Sequence, residues 1–281
     1  MNLTKEELQT VRQLQLQAAQ NRRDLVNLTY VSGYSHLGGP LSACDFLTAL
    51  YFHFIHWDKD HQHDPERDRF ILSKGHNADV LYCIFANLGL YPMEDLLKEY
   101  KNYLGRWGEH PNRFHNPGFE ICSGSLGHGL PIACGMAMAG RIDRSKRRVI
   151  CLVGDGELQE GLVWEAAMAA AHYKLDNLCA IVDWNGLQID GKNEDVMTVT
   201  PIDEKFKAFG FHVLMIDGHD FGEIFEAFDK AAACKGKPTV IIAKTNKGRG
   251  VSFMQDNPGW HGKAPKEDEA KQAVAELGGE W

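Results

Sequence analysis

The sequence predicts an α/β fold: a doubly wound, mostly parallel sheet with helices on both faces. Three observations carry this expectation. From Arg147 onward, almost wholly apolar runs recur at 149–153, 178–182, 212–216 and 239–243, the pattern of strands covered on both sides. Helical stretches lie between them, at 159–173, about 201–209 and 221–234, and strand–helix–strand alternation makes a parallel sheet. A glycine-flanked aspartate, Asp155, directly follows the first run, and open sheets of this kind bind ligands beyond the carboxyl ends of their strands.

The elements follow in order. Thr4-Lys5-Glu6-Glu7 has capping-box spacing and opens a helix. Leu8, Val11, Leu14, Ala18, Leu25 and Val26 keep helical spacing to about Thr29. A glycine-rich break covers 32–40, and 42–55 reads as a second helix. Residues 56–67 are polar and read as a loop; 70–73 is a short strand and 76–88 a helix. The alanine-rich stretch 165–171 is a tightly packed part of the helix after Asp155. Two long segments, 185–200 and 246–264, lack regular pattern, and connections of that length in a compact domain are functional or disordered. A polar helix over 266–277 comes last. No repeat, low-complexity tract or linker divides the chain, so residues 1–281 are expected to form one domain.

Composition excludes several function classes. Apolar residues make up 44% of the chain, enough for a sizeable core. The formal net charge of -8 argues against nucleic acid as the main partner, and the short basic cluster at 144–148 reads as a solvated turn before a strand. The seven cysteines include no CxxC pair; they read as small buried hydrophobes in a reducing compartment. Residues 1–7 are charged and show no secretory h-region, and no apolar stretch approaches the roughly 20 residues that span a bilayer. A soluble, cytoplasmic protein with no membrane partner is the expectation.

The chemistry concentrates in Gly154-Asp155-Gly156-Glu157-Leu158-Gln159-Glu160-Gly161 and in Asn185, about thirty positions past Asp155 and just after the next apolar run. In a parallel sheet both lie at strand carboxyl ends and can meet. Asp155 offers a carboxylate and Asn185 an amide oxygen, a donor set for a hard divalent cation that completes its octahedron with phosphate oxygens and water. Gly154 and Gly156 let the backbone approach an anion. A helix starting near Gln159 would present its N-terminal N–H groups to a diphosphate.

This arrangement resembles the thiamine diphosphate signature, and the surrounding motifs are similar to those of the transketolase family. They are His36-Leu37-Gly38-Gly39-Pro40-Leu41, Leu72-Ser73-Lys74-Gly75-His76, His110-Pro111, Ser123-Gly124-Ser125-Leu126-Gly127-His128-Gly129, the Asp155 segment, Asn185 and Ile189-Asp190-Gly191. Ile216-Asp217-Gly218-His219-Asp220, Lys244-Thr245-Asn246-Lys247-Gly248 and Trp260-His261-Gly262 complete the series in family order.

The resemblance implies a thiamine diphosphate-binding fold, specifically its diphosphate-binding domain. It implies that Asp155, Asn185 and the backbone carbonyl of Leu187 ligate Mg²⁺ (or Ca²⁺ or Mn²⁺). Gly156, His76 and His261 would contact the diphosphate, with Asn185 beside it, and Gly124 and Leu126 would lie against the thiamine. His36 and His110 would face the reacting carbon and the sugar hydroxyls, and Glu160 would couple two active sites at a subunit interface. The implied reaction is two-carbon ketol transfer from a ketose to an aldose.

Nothing in the chain resembles the family's pyrimidine-binding domain. A partner chain, the C-terminal transketolase subunit, is expected to supply it, in a heterotetramer with two copies of each chain acting on sugars or sugar phosphates. Tyr34-Ser35 before His36, His128 in place of the family's usual Gln and a slightly long spacing from His110 to Gly124 depart from the family pattern on the substrate side. They leave the sugar open.

Other readings stand beside this one. A deoxyxylulose-phosphate-type synthase, the α subunit of a 2-oxo-acid dehydrogenase and a non-catalytic regulatory subunit would share the fold. His53, His56, His61 and His63 match no motif and read as loop or packing residues. The segment 124–129 lacks the spacing of a dinucleotide loop. Trp260 could shield a cofactor or simply pack.

Overall fold

Thr4 caps the first helix in the way its spacing requires: its Oγ1 accepts the Glu7 N–H (3.2 Å) while the Glu7 carboxylate accepts the Thr4 N–H (2.7 Å). The computed structural model describes residues 4–281; Met1, Asn2 and Leu3, at the start of the segment without a secretory h-region, lie outside the described residues. Helix α1 (Lys5–Ser32) ends on Gly33 in the left-handed region, φ 70°.

Helix α2 (Gly38–Ala49) starts four residues before the expected Ser42 and runs on as a π turn, Leu50–Phe54. Pro40 is tolerated in the first turn because its missing N–H would have no intrahelical acceptor there. Gly38 permits a close approach: a Cβ at this position would meet the Trp260 carbonyl oxygen at 2.9 Å. The glycine run is therefore a helix start as much as a break.

Strand β1 (Arg69–Leu72), a 3₁₀ turn at Gly75–Asn77 and helix α3 (Ala78–Asn87) follow as expected. Helices α4 (Met93–Glu99) and α5 (Gly129–Ile142) are not legible in the sequence. The first is too short to show a period. The second contains Gly129, Pro131, Gly135 and Gly140, residues of low helix propensity that tertiary packing overrides. Then come β2 (Val149–Gly154), a 3₁₀ turn at Gly156–Gln159, α6 (Gly161–His172) and β3 (Leu178–Trp184). The irregular segment after β3 holds a small antiparallel hairpin, β4 (Leu187–Gln188) with β5 (Gly191–Lys192), and a short helix α7 (Asn193–Val196). The chain continues through α8 (Ile202–Phe209), β6 (His212–Asp217), α9 (Phe221–Ala233), β7 (Thr239–Lys244), a 3₁₀ turn at Pro258–Trp260 and α10 (Glu267–Glu276).

Five parallel strands form the sheet in the order β1-β2-β3-β7-β6. Alternate side chains of β2 separate into two cores. Ile150 and Leu152 join the core built with α1, α2, α3 and α9, whereas Val149, Cys151 and Val153 join the one built with α5, α6 and α8. Helices thus cover both faces. One expectation fails at β6: its apolar run predicts a strand covered on both sides, but it lies at the sheet edge and Met215 is 53% exposed. An edge strand has one neighbour, and an apolar run cannot by itself announce that position.

All seven cysteines are free; Cys44, Cys83, Cys134 and Cys151 are buried, whereas Cys122 is exposed. The basic cluster at 144–148 is less solvated than expected, because Arg148 ion-pairs with buried Asp68 and Arg147 with Asp143. Among the described residues no helix is long and apolar enough to cross a membrane.

Candidate active site

The sheet register aligns the ends of its central strands. Gly154 pairs with Asp183, and Trp184 with Lys244, so Asp155, Asn185 and Thr245 all emerge at the carboxyl rim. A cleft of about 350 Å³ opens there. Its walls include every sequence-derived candidate: Asp155, Asn185 and Leu187; His76, Gly124, Leu126, Gly156 and His261; and His36, His110 and Glu160. Lys74, Glu157 and Lys247 also line it.

At one end the Asp155 carboxylate joins two strand ends. Its Oδ1 accepts the Gly156 N–H (2.8 Å) and its Oδ2 accepts the Gly186 N–H (2.5 Å). Asn185 Oδ1 accepts the Leu187 N–H (3.1 Å), while its Nδ2 faces Asp183 Oδ2 (3.4 Å) and Ser42 Oγ (3.5 Å). Burial, and then the neighbouring Asp183 charge, push the Asp155 carboxyl up to about 6. Among the described residues Asp155 makes no ion pair. A buried carboxylate without an ion-pair partner in contact, beside an amide oxygen, fits a divalent cation. Among the described residues no three His, Cys, Asp or Glu side chains cluster as a metal cage.

The helix after Asp155 differs from expectation. Residues 156–159 form a 3₁₀ turn, and α6 begins at Gly161 instead of near Gln159. Extended backbone at Glu160 (φ −76°, ψ 127°) separates the two. The first N–H of the turn, from Gly156, is already taken by the Asp155 carboxylate. Glu160 is the exposed N-cap residue of α6 on the rim of the cleft.

Two buried charge networks brace this wall, and sequence reasoning alone does not single out either. Lys74 Nζ lies 2.7 Å from Asp183 Oδ2, and Asp183 also accepts the hydroxyls of Ser42 (2.7 Å) and Thr245. Burial alone pushes the Asp183 carboxyl up, but the Lys74 charge and these hydrogen bonds outweigh it and hold it below its ordinary range. Glu157 accepts the Gly154 N–H (2.9 Å), the Gly127 N–H (2.8 Å) and the Ser73 hydroxyl. It thereby ties the turn after β2 to the loop carrying Gly124 and Leu126. The available signal is modest: Lys74, Glu157 and Lys247 stand inside the family-like motifs, at strand ends where a buried charge demands a partner.

Three histidines meet on the opposite wall. The rings of His36, His76 and His261 lie with centroids 5.1, 5.2 and 5.5 Å apart. Burial pushes all three below the ordinary imidazole range: His36 against the pull of Glu109, His76 with further help from the Lys74 charge, and His261 down to about 3 with further help from Lys247. Burial thus biases each of the three toward its neutral form. Lys247 Nζ sits 2.6 Å from His261 Nδ1, and burial, then Lys74, bring the lysine down to about 8. As an ammonium it only donates, so His261 Nδ1 accepts and the ring proton resides on Nε2. His110 packs on Gly124, where an added Cβ would come 3.0 Å from the ring.

The unmatched histidines stay away from the cleft. His53 stacks on Phe225 and exposed His61 pairs with Asp58. Trp260 is buried, donates Nε1–H to the Phe253 carbonyl and packs against Phe253, so packing is its observed role. The 124–129 segment leads into α5 and follows no strand.

Comparison with known proteins agrees with this geometry. Residues 9–280 match the family described as transketolase, thiamine diphosphate binding domain. An apulose-4-phosphate transketolase subunit of Actinobacillus succinogenes is 43% identical over 266 residues, covering 94% of this chain and 96% of that protein. The 6-deoxy-6-sulfo-D-fructose transketolase subunit SqwG of Clostridium sp. is 41% identical over 249 residues, covering 87% and 89%. The crystal structure of Campylobacter jejuni transketolase superposes with a TM-score of 0.88 at 32% identity, over 100% of this chain and 44% of that one. This chain therefore spans less than half of that larger transketolase. Motifs, fold and relatives agree: the chain belongs to the transketolase family, as its thiamine diphosphate-binding domain.

Proposed function

We propose that this chain is the N-terminal subunit of a two-chain transketolase, which carries out thiamine diphosphate-dependent two-carbon ketol transfer from a ketose to an aldose. The observation that carries the reading is the convergence of Asp155, Asn185 and the histidine trio on one rim of the sheet.

Asp155, Asn185 and the Leu187 carbonyl would hold Mg²⁺ (or Ca²⁺ or Mn²⁺), and Gly156, His76, His261 and Lys247 would hold the diphosphate. An anion there would offset the desolvation of the Lys247 ammonium. Gly124 and Leu126 would receive the thiamine. When bound, the cofactor supplies a nucleophilic carbon and an electron sink. The chain's own side chains orient the sugar. His261 presents an Nε2–H donor, and His36 and His110 would meet sugar hydroxyls and exchange protons with them. Glu160, exposed on the rim, would face a second subunit.

The reading includes a partner. Residues 1–281 form a single diphosphate-binding domain, and a C-terminal subunit contributes the pyrimidine-binding domain, in a cytoplasmic assembly of two copies of each chain. Two relatives take their names from apulose 4-phosphate and 6-deoxy-6-sulfo-D-fructose, which supports a ketose bearing a phosphate or sulfonate as substrate. The test is reconstitution: the chain with thiamine diphosphate and Mg²⁺, assayed with and without a pyrimidine-domain partner. New ketose only in the presence of the partner is expected. Full turnover by the chain alone would end the split-site reading. CO₂ release from pyruvate would point to a synthase, and reduction of an acceptor to a dehydrogenase.

A further inference from the structure

One contact in the histidine wall has no counterpart among the residues assigned so far. His36 Nδ1 touches Glu109 Oε1. Both atoms are shut away from solvent, and among the described residues neither makes an aligned hydrogen bond, to the other or to any third group, so this close contact is the nearest polar encounter each has. Lys101 Nζ lies 3.8 Å from the same carboxylate oxygen and donates to the Tyr34 carbonyl (2.7 Å), beside the Tyr34 ring. A cation thus flanks the carboxylate and ties it to the segment that carries His36.

The backbone leading to Glu109 is pinned at three consecutive carbonyls. Arg106 O accepts from Asn116 Nδ2 (2.7 Å), Trp107 O from the Lys101 N–H (2.8 Å) and Gly108 O from the Tyr82 hydroxyl (3.0 Å). The Trp107 side chain is buried beside them. Such a mounting leaves the Glu109 side chain little freedom to turn elsewhere.

We propose that Glu109 is a positioning residue that fixes the Nδ1–H tautomer of His36, so that Nε2 faces the cleft as a hydrogen-bond acceptor, with Lys101 holding the carboxylate in place. This rests on the ketol-transfer reading for its consequence, though not for its geometry. A carboxylate only accepts, so the ring proton of neutral His36 belongs on Nδ1. The charged or titratable groups around His36 are Glu109, Lys101, Asp79, His76 and His261. His261 carries the opposite tautomer because Lys247 occupies its Nδ1. The two rings therefore offer one acceptor and one donor to the same space.

The test is tautomer assignment by nitrogen chemical shifts in the full chain with isotope-labelled histidines, combined with kinetics of the reconstituted two-chain enzyme. The kinetic probe is D-xylulose 5-phosphate with D-ribose 5-phosphate. Native His36 is expected to be protonated on Nδ1 and bare on Nε2. Glu109→Ala is expected to erase that preference and lower kcat roughly 10-fold or more, with KM for the donor changed less than about twofold. Glu109→Gln, whose amide oxygen still accepts, is expected to restore the tautomer and most of kcat. A native His36 protonated on Nε2, or a Glu109→Ala spectrum identical to the native one, would overturn the proposal. The tautomer readout needs no turnover. A correct tautomer in a complex without ketol transfer would therefore overturn the functional reading alone.

Discussion

The Gly186 N–H donates to Asp155 Oδ2 across 2.5 Å, joining the turn after β2 to the turn after β3. One carboxylate thereby sets the separation between the two segments that carry the proposed metal ligands. Its other oxygen is held by Gly156, so both lie in fixed directions before any ligand arrives.

Replacing that carboxylate separates binding from folding. Asp155→Ala is expected to lower metal-dependent thiamine diphosphate affinity of the assembled enzyme by more than about 100-fold. Isothermal calorimetry with and without Mg²⁺ checks it. Undiminished affinity would contradict the metal assignment.

The Lys74–Asp183 pair is buried, so removing one partner strands the other. Lys74→Met is expected to destabilise the chain by about 3–5 kcal/mol in urea unfolding. Adding Asp183→Asn removes the stranded charge and keeps an acceptor for one of the two hydroxyls, since Ser42 and Thr245 donate to different carboxylate oxygens. The double variant should recover a substantial part of the loss; a purely additive second loss would argue against charge pairing as the cause.

Stability of the chain without diphosphate should depend on His261. Its folded value of about 3 lies below the ordinary 6.5, so the unfolded chain binds a proton that the native chain refuses. The contribution is complete above 6.5 and drains away as pH falls toward 3. Between about pH 7.5 and about pH 5.5, His261→Asn should lose less stability than the native chain, by ~1 kcal/mol. Equal losses in paired urea titrations would show that His261 is not held neutral.

The histidines separate by location. His36→Ala is expected to lower kcat of the reconstituted enzyme by roughly 100-fold. His61→Ala, on an exposed loop, should leave it unchanged. A comparable kcat for both variants would remove His36 from the reaction.

Much of the fold was legible because its signals are local. The apolar runs that became β2, β3 and β7 report burial on both faces, and the Thr4 capping box marks a helix start within four residues. Helix α5 was not legible, since its glycines and proline oppose helix in isolation and only its packing on β2 and α6 makes it form. The α6 start was misplaced because the extended backbone at Glu160 interrupts a pattern that reads as continuous.

By itself, the sequence determined the periodicities, the turn chemistry around Asp155 and the candidates at strand ends, because these depend on neighbours along the chain. Only the tertiary structure decided which distant groups share a dielectric and a proton. It buried Lys74 against Asp183, 109 positions away, set Lys247 on His261 and Glu109 on His36, and left β6 at the edge. Such pairings follow from how the strands order and the loops converge, and the energy of a buried charge or hydrogen bond exists only once both partners have left water.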